Sequence, residues 1–242
     1  MNTKEHYDNH LGFFYSWIIG DFDQKKNEFL NFCKSQEIQP TYSGLALDLG
    51  AGNGIQSIAL AELGFKVVAI DFNKTLLDEL KSKIDGLNIE TINADFKDIS
   101  NFSDKNPELI ICCGDTLAHL GSQEEIEQTI LNIKKALSPE GKFIFSFRDY
   151  SFVLTDTMRF IPVKSDAKRI FTCYLEYFES KVRVTDLVYE HINNEWIQKI
   201  SSYEKVRITK DMILKMLDRH GFNILSDNTI NKMITITGQK RV

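Results

Sequence analysis

The sequence predicts an α/β fold: a mostly parallel sheet with helices on both faces, an antiparallel last strand and a small antiparallel β insertion. Three observations carry this. Apolar runs such as "LALDL" (45–49) and "KVVAI" (66–70) alternate with helical spacings. Strands that apolar, set between helices, are buried on both faces of a parallel sheet. From 169 to 208 the rhythm changes to period-two alternation, "RIFTCYLEYFESKVRVTDLVYEHINNEWIQKISSYEKVRI", with "ES" and "NN" as turns. That pattern predicts three antiparallel strands. The last two apolar runs, near 222–226 and 232–237, are joined by a short polar turn, which makes them antiparallel.

The elements follow in order. Residues 8–34 mix aromatics with charges, and Phe22, Phe29, Leu30 and Cys33 share one helical face. Gly44 opens the strand 45–49. The helix 55–63 stops at Gly64, a residue suited to the position just past a helix end. After the strand 66–70, Asn73 is placed to cap a helix over 74–84. Strands follow at 88–92, 108–113 and 142–147. Between the last two, Ser122 and Glu125 have the spacing of a capping box for a helix to about 137, and "SPEG" (138–141) is a turn. A helix over 210–220 ends before Gly221. One domain spans 1–242, with an N-terminal helical lid segment (1–40) and the insertion (169–208).

The chain has 242 residues, of which 43% are hydrophobic, enough for a sizeable core. Its formal net charge is −5, which disfavours nucleic acid as a partner. "KVRITK" (205–210) is too short to stand for a basic patch. No apolar run approaches the roughly 20 residues that span a bilayer, and "MNTKEHYDNH" has no signal-peptide pattern. A cytoplasmic protein, with no membrane partner, is expected. The four cysteines form no C-x-x-C pair, so no metal site or disulfide framework is predicted. Aromatics near the N-terminus would suit a homodimer contact.

Asp48-Leu49-Gly50-Ala51-Gly52-Asn53-Gly54 reads D-x-G-x-G-x-G. A dinucleotide loop needs G-x-G-x-x-G, and neither register supplies its third glycine. No Walker motif is present. Glycines there let a ligand lie against the backbone of a tight turn. Asp71, at the end of the second strand, can accept both hydroxyls of a ribose and would repel a 2′-phosphate. Asp95 follows the third strand, and Phe96 offers a flat apolar face to a purine. Three such features at successive strand ends mark the edge where open α/β sheets bind ligands.

Residues 45–115 resemble a class I S-adenosylmethionine (SAM)-dependent methyltransferase, with its Rossmann-like fold. The glycine loop (Asp48, Gly50, Ala51, Gly52), Asp71 with Phe72, and Asp95 with Phe96 match the three cofactor motifs of that family. The terminal helix and hairpin are also similar. "FFYSWIIGDFDQKKNEFLNFCKS", "CCGDTLAHL" and "FRDYS" further resemble segments of the glycine N-methyltransferases. On that likeness Tyr15 closes over the cofactor and Lys25 pairs with its carboxylate. Cys113 lies beside the adenosine, His119 is a cofactor-site histidine, and Asp115 stands near the acceptor amine. Two positions depart from the pattern. Lys25 replaces an arginine, so bidentate pairing is lost, and Ile18 replaces a substrate-side tyrosine.

The resemblance implies SAM as cofactor and S-adenosylhomocysteine as product. In-line displacement from a sulfonium needs no protein nucleophile. Holding the acceptor about 3 Å from the methyl can supply roughly 7–11 kcal/mol. An amine must lose its proton first, and Asp115 or His119 could take it. Arg148 and Tyr150, with Asp149, follow the fifth strand and are candidates for binding the acceptor. Tyr174, Tyr177 and Phe178 read as core of the insertion, and His6, His10, His191 and His220 as surface residues. A small-molecule methyltransferase is the leading expectation, with an amine nitrogen as acceptor. The alternatives are methylation of RNA or protein, a SAM-binding protein without turnover, and, last, a dehydrogenase.

Overall fold

The computed structural model describes residues 2–230 and 233–241. Its main sheet has seven strands: β1 (Leu45–Leu49), β2 (Lys66–Asp71), β3 (Ile89–Asn93), β4 (Leu109–Cys112), β5 (Lys142–Arg148), β10 (Phe222–Ile230) and β11 (Met233–Lys240). The spatial order is β10-β11-β5-β4-β1-β2-β3. β1 is an interior strand, parallel to both neighbours, with Asp48 beside Ala69 of β2 and Ile111 of β4. All five residues of β1 are buried, as a strand covered on both faces requires. β11 runs antiparallel between β5 and β10. Strand order reverses across β1 and β4, so a crevice opens at their carboxyl ends.

Caps set the helices that cover the sheet. α4 (Ile55–Glu62) starts directly from Gly54 of the glycine loop. Asn73 accepts from the Leu76 N–H at 3.0 Å and starts α5 (Lys74–Lys81). Ser122 does the same for α6 (Gln123–Ala136), accepting from Glu125 N at 3.3 Å, and Thr209 for α7 (Lys210–Arg219), accepting from Met212 N at 3.2 Å. The reciprocal half of the box at α6 does not form. Glu125 turns instead to the N–H of Gly121 (3.1 Å) and to Lys97 (2.6 Å).

The second sheet is antiparallel with four strands, one more than the alternation predicts: β6 (Phe160–Ser165), β7 (Arg169–Tyr177), β8 (Lys181–Ile192) and β9 (Glu195–Val206). β6 carries Pro162 and a register shift between Pro162 and Lys164, and both hide the period of two. Asn193 and Asn194, at φ 52° and 64°, make the tight turn between β8 and β9. The inner face, with Leu175, Val182, Val184 and Tyr203, joins the core of the main sheet. Tyr174 and Tyr177 are half-buried and Phe178 is exposed, so the expected core lies in the aliphatic residues instead.

The N-terminal segment lies across this sheet as α1 (Thr3–Asn9), a short 3₁₀ turn and α2 (Tyr15–Ile19), and then leaves it as α3 (Phe22–Ser35), whose Phe29, Phe32 and Cys33 pack with Leu60 of α4 and with β1, β2 and β4 of the main sheet. Leu11 and Phe14 pack on Phe171 and Val188. Most of these aromatics face inward, so the reason for expecting a dimer contact here falls away; Phe13 alone among 13–17 is largely exposed. Two histidines also correct the surface reading. His6 is fully buried, 3.0 Å from Asp186 and 2.7 Å from Ser201, and it stacks on Tyr203. His10 is buried beside it. His220 is half-buried, 2.7 Å from Glu127, and His191 is exposed. Sequence spacing could not reveal that α1 folds back onto a sheet some 180 residues away.

Candidate active site

The glycine loop is shaped by contacts that exclude side chains. Gly50 has φ 73°, and a Cβ there would meet Thr116 Cγ2 at 2.4 Å. At Gly54, φ is 91° and a Cβ would meet Leu80 at 2.2 Å. Both the conformation and the space therefore demand glycine. The N–H groups of Gly50 and Ala51 donate to Ile70 O at 2.8 and 3.0 Å, joining the loop to β2. Asp71 then receives two more backbone N–H groups, Gly52 at 2.8 Å and Asn73 at 2.7 Å. One goes to each oxygen, which leaves each a second lone pair. Burial pushes this carboxyl above its ordinary range, against the pull of the Asn73, Gly52 and Phe72 N–H groups.

Above the loop is a cavity of about 980 Å³. One end is lined by Gly50, Gly52, Asp71, Phe72, Asp95 and Phe96, with Tyr15 beside them. His119 lines it further along, together with Tyr7, Tyr203 and Lys205. Other expected residues lie elsewhere. Asp48 is buried beneath the loop and accepts from Ser57 Oγ at 2.6 Å. Burial pushes its carboxyl up to about 7. Ala51 and Cys113 are buried and absent from the lining, and the Cys113 thiol faces Ile144 O. Lys25 is on an exposed face of α3, paired with Glu28 at 2.9 Å. The Arg148 residue is exposed and off the cavity wall.

Asp115 sits one layer behind the wall at φ 73°. Its oxygens are taken by three donors: Arg148 N (2.9 Å), Tyr150 OH (3.1 Å) and Lys205 Nζ (2.6 Å). Burial works to raise its pKa, but the Lys205 charge and the Arg148 N–H outweigh it and hold the carboxyl below the usual range. Burial likewise opposes the charge on Lys205, and Asp115 overrides it, keeping the ammonium above its ordinary pKa. The pair is charged at neutral pH. A carboxylate so held is a poor proton acceptor.

His119 is the opposite case. Burial first, and then the Lys205 charge, bring its pKa down to about 3, so the ring is neutral. Its Nε2 is 3.3 Å from Tyr7 OH, and its Nδ1 has no partner among the described residues. Tyr7 meets His119 and Phe72 edge-on, while Tyr203 stacks on His119. Sequence reasoning missed Tyr7, Tyr203 and Lys205. One signal was available for the last two. In "SSYEKV" the period of two sets Ser201, Tyr203 and Lys205 on one face, and a lysine on a buried face requires an acid.

Residues 46–141 match the family described as "Methyltransferase domain". The glycine/sarcosine N-methyltransferase of Halorhodospira halochloris is 28% identical over 155 residues, 63% of this chain and 56% of that protein. The chain thus spans little more than half the length of that relative. Among solved structures, the CcbJ methyltransferase of Streptomyces caelestis aligns with a TM-score of 0.81 at 14% identity, covering 99% of both chains. An S-adenosylmethionine-dependent methyltransferase from Clostridium acetobutylicum aligns at 0.74 and 20% identity, covering 92% of this chain and 93% of that one. At such identities the likeness is one of fold. Residues 46–141 thus match a methyltransferase domain, and the chain shares the fold of solved S-adenosylmethionine-dependent methyltransferases, the class that the glycine loop and its acids resemble. The site fits the cofactor of that class: a diol can bond the free lone pairs of Asp71, and Phe72 and Phe96 present apolar faces within the same end of the cavity.

Proposed function

We propose that this chain transfers the methyl group of SAM to an amine nitrogen of a small molecule. The observation that carries this reading is one cavity with two chemically different ends. The adenosine end has backbone and acids; the other has aromatic rings, a neutral imidazole and a buried cation. When bound, SAM supplies an electrophilic methyl on a sulfonium. Asp71 holds the ribose hydroxyls, Asp95 and Phe96 border the base, and Tyr15 covers the loop. At the far end Tyr7, His119 and Tyr203 frame the acceptor. The Lys205 charge disfavours an ammonium nearby, which keeps the acceptor nitrogen in its nucleophilic form. Asp115 fixes Lys205 and, through Tyr150 and Arg148 N, the loop after β4. It therefore acts by positioning and not as a base. The N-terminal segment (1–40) and the insertion (169–208) serve as lids that exclude water.

The nitrogen assignment draws on the glycine/sarcosine relative and on the weak basicity of the groups framing the acceptor end: Tyr7, His119, Tyr203 and Lys205 supply no strong base there, and the Glu204 carboxylate on the same wall is held by Lys181 at 2.9 Å and Arg183 at 3.2 Å. An oxygen acceptor would need one, whereas an amine arrives partly neutral. Calorimetry with SAM, followed by methyl transfer to a panel of amines, alcohols, thiols and peptide N-termini, tests it. Cofactor binding with turnover on small amines is expected. Binding without turnover on any acceptor would leave a SAM-binding protein instead.

A further inference from the structure

β9 ends the second sheet, and among the described residues no strand pairs with its outer side. Its first six residues, Glu195 to Ile200, are all exposed, Trp196, Ile197 and Ile200 included. An unpaired edge with apolar side chains is a template for another strand. The other edges are guarded. β6 has Pro162 and a bulge, β10 has a bulge between Ile224 and Ser226, and β3 is only five residues long. β9 has neither proline nor bulge, and it keeps unbroken register with β8 over 12 residues.

Backbone direction follows from one hydrogen bond. Arg207 N donates to Ser180 O at 2.9 Å, at the β8 side. Odd-numbered residues of β9 therefore turn their backbone groups toward β8. The even ones, Trp196, Gln198 and Ile200, turn theirs outward.

We propose that a second copy of this chain pairs there, β9 against β9 antiparallel, about a two-fold axis at Ile197. The strand is complementary to itself in that register. Glu195 faces Lys199 of the other copy, Ile197 faces Ile197, and Trp196 lies diagonal to Ile200 on the same face. Opposite charges across the pair stabilise it, and like charges do the reverse. Moving the axis to residue 199 or 195 would set Lys199 or Glu195 against itself, and an axis at Trp196 or Gln198 would leave Glu195 without Lys199 across the pair, so charge favours the axis at Ile197. The isologous contact closes into a dimer. Pairing here would also stiffen the strand whose other half, Ser202–Val206, lines the cavity. None of this depends on which acceptor is methylated.

Sedimentation of the full chain at micromolar concentration tests the contact, and a dimer is expected. Across the axis Ile197 forms a non-hydrogen-bonded pair with Cα atoms about 4.5 Å apart, within disulfide reach. Ile197→Cys should give a covalent dimer on mild oxidation, and Trp196→Cys should give little. The native cysteines are buried or partly buried, and oxidised wild type provides the background. Ile197→Lys sets two ammonium groups at the axis and should yield a monomer with unchanged circular dichroism. A monomeric wild type, a dimer that survives Ile197→Lys, or failure of Ile197→Cys to cross-link would each overturn the proposal.

Discussion

At the glycine-loop end of the cavity, where the proposed function puts the adenosine, the wall is built largely from backbone. Gly50 and Gly54 have conformations and neighbours that exclude side chains, and loop N–H groups are bonded to Ile70 O and Asp71. Most of that wall lies between residues 48 and 96, with Tyr15 and Thr116 added from outside. At the other end the wall is assembled from side chains far apart in sequence: Tyr7 on α1, His119 after β4, and Tyr203 and Lys205 on β9. Backbone-built sites depend on local turns and tolerate changes behind them. Side-chain-built sites depend on buried partners, and their failure is a failure of folding as much as of binding.

The largest expected effect tests that contrast. Lys205→Met leaves Asp115 buried and charged with only Tyr150 and the Arg148 N–H. Breaking a buried pair in this way costs about 3–5 kcal/mol. The thermal midpoint should fall, at roughly 2–4 °C per kcal/mol for a chain of this size. Lys205→Met combined with Asp115→Asn should recover much of the loss, because the stranded charge is gone. A single variant that melts with wild type would mean that the pair is not holding the acceptor end together. At the backbone-built end Asp71→Ala frees the Gly52 and Asn73 N–H groups but strands no charge, so it should cost less stability than Lys205→Met while weakening SAM binding by about 1.5–3 kcal/mol, the scale of hydrogen bonds to a charged group. Calorimetry distinguishes the two behaviours.

The same contrast explains what could be read in advance. The adenosine end was legible because turn geometry is written locally: glycines at fixed spacing, an acid closing the next strand, an acid and an aromatic after the third. Lys25 shows the limit of reading by resemblance, since a matching position on α3 faces solvent and pairs with Glu28. The acceptor end was half legible. Asp115 and His119 were expected there because they follow β4, and the structure puts His119 on the wall and Asp115 behind it; their electrostatic states were not legible, since these depend on Lys205, 90 residues from Asp115. β6 escaped because a proline and a bulge break its alternation. His6 was misplaced because nothing in "MNTKEHYDNH" records the Asp186 and Ser201 that meet it.

A third effect, of intermediate size, lies beneath the loop. Folding raises the Asp48 carboxyl to about 7 by burial, from an ordinary value of 3.8. The folded state then holds the proton more tightly than the unfolded one. Stability is therefore greatest below the unfolded pKa, declines as pH rises through this window, and is level above about 7. Asp48→Asn removes the titration while keeping an oxygen to accept from Ser57. The variant should gain on wild type by roughly 1 kcal/mol or more at pH 8, because each tenfold difference in proton affinity between the folded and unfolded carboxyl is worth about 1.4 kcal/mol. The gain should vanish near pH 4. Urea titrations at the two pH values measure it, and a pH-independent difference would show that folding leaves the proton affinity of Asp48 unchanged.

The smallest expected effect is at Tyr7, where the lid meets the side-chain-built end. Its hydroxyl is 3.3 Å from His119 Nε2, a long contact, while its ring packs edge-on against His119 and Phe72. Tyr7→Phe deletes the first and keeps the second. A neutral hydrogen bond at that length contributes about 0.5 kcal/mol, roughly two- to threefold in kcat/KM. Tyr7→Ala removes the ring and opens the wall between the two ends, so its loss should be clearly larger. If the two substitutions are equally harmful, the hydroxyl is holding the His119 tautomer and the ring merely fills space. If Tyr7→Phe is silent and Tyr7→Ala is not, α1 acts as an apolar cover, and the polar work at the acceptor end belongs to His119 and Lys205.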